Sequence, residues 1–194
     1  MQAFDRKRLL RTIGALASLC LMTAASGCGD DAPKTCSSPE ILPHHSPVVL
    51  GEMWPLGSET AQPATNERVP YEWVLLLQNQ CDELLKIDTV CLVGEGIDNY
   101  IIEGPVPNSV KRGEPGAVRL TYNRTDPGGP DNVALYVKSN ASDFPSLIVP
   151  VCASVVADGQ EKATMTCDSP VKADDAFDLD TTTLPVKCSL RDGK

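Results

Sequence analysis

The chain has 194 residues, 42% of them hydrophobic, 22% charged and only 5% aromatic, with a net charge of −9. That is enough apolar content for the core of one domain. The acidity opposes binding to phosphate backbones and excludes a nucleic-acid-binding protein of the usual basic kind.

In chain order, the first element is a targeting segment. Arg6, Lys7, Arg8 and Arg11 form a basic start, and an apolar run from Leu9 to Ala25 follows. Small residues then lead to Cys28. A charged start, a short apolar stretch and small residues before a cut describe a secretory signal rather than a membrane span. The run Ala25-Ser26-Gly27-Cys28 resembles the lipobox of bacterial lipoproteins, although Ala25 stands where that motif prefers Leu. The resemblance implies cleavage before Cys28, a diacylglyceryl (commonly palmitate-bearing) modification of its sulfur and an acylated amino group, hence a lipid anchor in the membrane. It assigns residues 1–27 to the signal peptide. The four basic residues and Asp5 of that peptide carry +3 of the chain's −9, so the mature chain stands at −12. Gly29 rather than Asp follows Cys28, which tilts the expected location within the cell envelope toward the outer membrane.

Residues 28–46 have no apolar period and read as a flexible tether. His44 and His45 lie in it and read as solvated linker residues rather than metal ligands. Apart from Cys20 and Cys28, six cysteines remain: Cys36, Cys81, Cys91, Cys152, Cys167 and Cys188. An even number in an exported chain points to disulfides, with fifteen connectivities open.

From residue 47 to 156 the pattern changes to short alternating runs separated by turns. Val48–Leu50 opens it. Trp73, Leu75 and Leu77 share one phase, and Leu85, Ile87, Val90 and Leu92 form a run with a bulge between Ile87 and Val90. Tyr100 and Ile102, then Val118, Leu120 and Tyr122, then Val133, Leu135 and Val137, then Leu147 to Ala153, complete seven strands. Period-two alternation buries one face of a strand, and seven such strands predict an all-β, antiparallel sandwich. Turn chemistry fills the gaps, as in Asp126-Pro-Gly-Gly-Pro-Asp131.

These residues also resemble a family. Leu50-Gly51, then Leu76-x-Gln78-Asn79 ahead of Leu85-x-Ile87, then Pro115-Gly116 before Val118–Tyr122, then Ser139-Asn140 before the last strand, are similar in order and spacing to ASPM–SPD-2–Hydin (ASH) domains. Those are immunoglobulin-like modules related to major sperm protein. Asn123-Arg124-Thr125 and Cys152-Ala153 depart from that pattern. The resemblance implies a seven-stranded immunoglobulin-like fold and an interaction role, and it supplies no catalytic residue. An immunoglobulin-like path places Cys36 near Cys81 and Cys91 near Cys152, leaving Cys167 for Cys188. Cys81 and Cys91 would stand roughly 25–30 Å apart along one strand, too far to bond.

Residues 157–194 read as an acidic tail bounded by a disulfide. Its Asp174-to-Asp180 run lacks the turn glycine and closing carboxylate of a calcium loop. The chain contains no G-x-S-x-G elbow, no H-E-x-x-H and no Gly-rich phosphate loop with its Lys. The sequence therefore predicts no enzyme, cofactor or metal. It predicts a non-catalytic, lipid-anchored envelope lipoprotein that binds a protein partner of unknown identity. The alternative is an envelope ligand-binding protein or enzyme with a loop-built site. Trp73 reads as core, and Trp54, just after the first strand, is the candidate partner contact.

Overall fold

The computed structural model describes residues 36, 38–41, 47–59, 68–171 and 177–189. Cys28, the signal peptide, His44, His45 and Asp174–Asp175 lie outside them. Nine strands are present among the described residues: β1 (Val48–Met53), β2 (Tyr71–Leu77), β3 (Leu85–Val93), β4 (Tyr100–Glu103), β5 (Ser109–Val110), β6 (Gly116–Tyr122), β7 (Gly128–Ser139), β8 (Ser146–Val155) and β9 (Val186–Cys188). The larger sheet runs β1-β8-β7-β3-β5, with β9 also on β3. The smaller runs β2-β6-β4. Two 3-10 turns, Ile97–Asn99 and Leu179–Thr181, are the described helical elements. None is long and apolar enough to cross a membrane.

The two sheets close on one core in a sandwich-like arrangement. Its interior takes Leu75 and Leu77 from β2, Val118 and Leu120 from β6, Val90 and Leu92 from β3, Val133, Leu135 and Val137 from β7, and Val149 and Val151 from β8. These are the phases that alternation selects, and Trp73 packs against the same cluster. Each fully buried aliphatic side chain contributes about 1.5–3 kcal/mol. The register shift in β3 falls between Ile87 and Thr89, where the expected bulge lies.

Four expectations need correction. The described residues form nine strands rather than seven, because two- and three-residue pieces, β5 and β9, add to the edge of β3. Such pieces are too short to show a period. The sandwich is not purely antiparallel, because β1 runs parallel to β8. The tether is shorter than residues 28–46. Ile41 is 1% exposed, bridges Asn79 and joins the core, because one apolar side chain can dock without any periodic pattern around it. Finally, the described residues of the expected 157–194 tail pack on the sandwich. Val171, Phe177, Leu179 and Leu184 cover Val93, Ala134, Tyr136 and Ile148 on the outer face of the larger sheet. The Tyr136 and Phe177 rings meet edge to face at 5.5 Å. Strands β7 and β8 are thereby buried on both faces, which is why β8 reads as a nearly continuous apolar run.

Candidate functional site

The cysteines define how the flanking segments attach. Cys36 bonds Cys81 with Cα atoms 5.3 Å apart, as expected. The other two pairings are corrected: Cys91 bonds Cys188, and Cys152 bonds Cys167. Cys91 and Cys152 both sit on the outer face, but β7 lies between their strands. Two strand spacings come to about 9.5 Å, beyond the reach of about 7 Å for a disulfide. Each therefore takes a partner from the C-terminal segment: Cys167 for Cys152, and Cys188, in β9 beside β3, for Cys91. Cys188 stands directly opposite Cys91 in the β3–β9 register.

The Cys36–Cys81 bond sits at one end of the sandwich, with the β2–β3 and β7–β8 turns. Gln80 N–H donates to Glu40 O, Ser142 N–H to Pro39 O at 2.9 Å, and Ile41 N–H to Asp143 Oδ1 at 3.1 Å. Asn79, buried, donates through Nδ2 to Glu83 O and Val110 O and accepts from Cys81 N–H. Asn140 accepts from Lys86 N–H at 2.7 Å and donates to Leu84 O, so its amide ties the two turns together. Leu84 and Phe144, one on each turn, are 36% and 42% exposed. Glu40 lies close to both sulfurs of the bond. Those sulfurs are spent on each other, so the trio offers a single carboxylate to a metal.

Trp54 lies at the opposite end, beyond β1. It is half-buried rather than open: its backbone bridges Arg68, and Lys162 Nζ sits 3.8 Å from its ring centroid. Its indole Nε1 is buried without an acceptor. The exposed apolar group of that turn is Leu56, at 78%. Its sequence signal is an aliphatic residue between Pro55 and Gly57, which a turn holds outward.

A buried polar cluster at the same end was not foreseen. Asp131, on the bulged start of β7, accepts from Tyr122 Oη at 2.8 Å, Asn99 Nδ2 at 2.9 Å and Arg124 Nη1 at 2.8 and 3.0 Å. Tyr100 Oη donates to the Asp131 carbonyl at 2.9 Å, and Arg124 Nε to Asp126 O. The two tyrosine rings lie 4.8 Å apart. Gly96 leaves the room, since a Cβ there would come within 2.7 Å of Asp131 Oδ1. Burial, then the Asp131 charge, pushes the Tyr100 phenol far above its ordinary range. Burial, then the hydrogen bond to Asp131, does the same for Tyr122. The Asp131 hydrogen bond also raises Arg124. This one-to-one charge pair fastens the β6–β7 connection and the first 3-10 turn to β7. The cue in the sequence was Arg124 and Asp131 flanking a Pro-Gly-Gly-Pro turn.

Two hollows lie on the described surface. One of about 290 Å³ opens on the β3 edge between β5 and β9, against Ile87, Thr89, Pro107 and Cys188. The other, about 530 Å³, lies between the β6–β7 turn and the crossing segment, against Glu52, Pro130, Ser154, Gln160 and Thr164. Each lining carries one carboxylate, Asp88 in the first and Glu52 in the second.

No protein-family model and no curated protein matches the chain. Among solved structures it is similar to the ASH/PapD-like domain of human CEP192 (PapD-like domain 7), at 15% identity over 62% of this chain and 86% of that one, with a TM-score of 0.35.

Proposed function

We propose that this protein is an exported, lipid-anchored, non-catalytic module of the bacterial envelope, in which an immunoglobulin-like sandwich of the ASH type meets a protein partner. The observation that carries this reading is the set of three disulfides tying both flanking segments to one small sandwich. Such cross-linking belongs to oxidising compartments, in keeping with the signal segment and the lipobox-like Cys28. Exposed Leu56 beside Trp54, and the edges of β1 and β2, are surfaces a partner strand or loop could use.

The test is metabolic labelling with a palmitate analogue, together with detergent phase partitioning, in a bacterial host. Wild type should label and enter the detergent phase. Equal partitioning by Cys28→Ser would sink the anchor. Crosslinking in cells should then yield one stoichiometric envelope protein, lost in Leu56→Asp.

A ligand-binding role is the second reading, favoured by the 530 Å³ hollow with Glu52 and Gln160 on its wall.

A further inference from the structure

We propose that the end of the sandwich carrying the Cys36–Cys81 bond rests on the membrane, with Leu84 and Phe144 as its lipid contacts. This rests on the reading of Cys28 as the lipidated residue.

The argument begins with chain length. Cys36 lies eight residue steps after Cys28. At full extension they span at most about 29 Å. Without the disulfide and the docking of Ile41, the lipid would reach β1 through roughly twenty residues, or about 70 Å, and any face of the domain could meet the bilayer. The bond to Cys81 moves the point of attachment to the end of the sandwich formed by the β2–β3 and β7–β8 turns. Strand β7 runs twelve residues from that end to the other, about 36 Å. The leash is shorter than that, so the Trp54 end cannot reach the surface while Cys28 is seated in it.

The second observation is what this end displays. Two of the exposed large apolar side chains, Leu84 and Phe144, stand on neighbouring turns joined through Asn140. Lys86, Lys111 and Arg112 lie among the carboxylates there, so a bilayer of mainly zwitterionic headgroups is not repelled. A short tether holds the end near the surface at roughly millimolar effective concentration, where two partly inserted side chains suffice for contact.

The experiment uses the full-length lipidated protein in vesicles of phosphatidylethanolamine with a minor share of phosphatidylglycerol, part of it carrying brominated acyl chains. Phe144→Trp and Leu84→Trp are compared with Leu56→Trp and with the native Trp54 and Trp73. The expected result is loss of the added emission at positions 144 and 84, with none lost at 56 or from the native pair. Vesicle flotation separates the two layers of the argument. Protein that does not float overturns both the anchor and the orientation. Protein that floats with positions 144 and 84 unquenched keeps the anchor and overturns the orientation, leaving that end to solvent or a protein. Quenching at 56 equal to that at 144 also overturns it.

Discussion

Removing the Asp131 carboxylate strands three donors at once: the Tyr122 hydroxyl, the Asn99 amide and the Arg124 guanidinium. Breaking a buried pair by deleting one partner costs about 3–5 kcal/mol, because the other charge stays buried alone. Arg124 keeps about a quarter of its side chain in water, which places Asp131→Ala at the low end, about 3 kcal/mol by urea titration. Tyr122→Phe deletes one donor and leaves the ion pair, so about 1 kcal/mol is expected. The tyrosines also set an alkaline limit. Their phenols are raised when folded, so their contribution is complete below the unfolded value of about 10 and is lost as pH rises toward the folded values. Stability should fall above about pH 10 by roughly 1.4 kcal/mol per pH unit for each phenol, and Tyr122→Phe should halve that slope. A flat profile in wild type would contradict the cluster.

At the level of elements, the crossing segment from 157 onward acts as an outer layer of the larger sheet. The Cys152–Cys167 bond closes 15 residues and Cys91–Cys188 closes 97. Chain-entropy reasoning gives about 3 and 4–5 kcal/mol respectively, so the double serine variant of the longer loop should unfold at lower urea. Ending the chain after Asp168 should uncover Tyr136 and Ile148, and the dye ANS should then bind where it does not bind the whole protein. Alternation made the strands legible, since Leu75, Leu120, Leu135 and Val149 each answer to a period of two. It could not reveal the layer over β8, because a segment without a period covers a sheet through a few separate side chains such as Val171 and Leu184. The disulfide pairing failed for the same reason. Cys167 and Cys188 would pair with each other only in a segment that stood apart from the sheet, and this one lies along it.

At the scale of the whole molecule, the end proposed to face a partner, at Trp54, and the end proposed to be held by the lipid, at the Cys36–Cys81 bond, are opposite ends of one sandwich. The reading of Cys28 rests on its own neighbourhood in the sequence and lies outside the described residues, whereas the Asp131 cluster has no such local signature. Its members lie in the first 3-10 turn, β4, β6, the β6–β7 connection and β7, and only the finished fold brings them together. The cross-links also decide what a protease can remove. A cut anywhere between Cys36 and Cys81 leaves both fragments joined by their bond, and a cut between Cys91 and Cys188 does the same. Within that span, only residues 82–90 lie outside both loops. Most of them belong to β3, and the accessible part is the short turn Asp82–Leu84. If that turn is pressed against the bilayer, the bond that shortens the leash also hides the one accessible place between Cys36 and Cys188 where a single nick could part the chain.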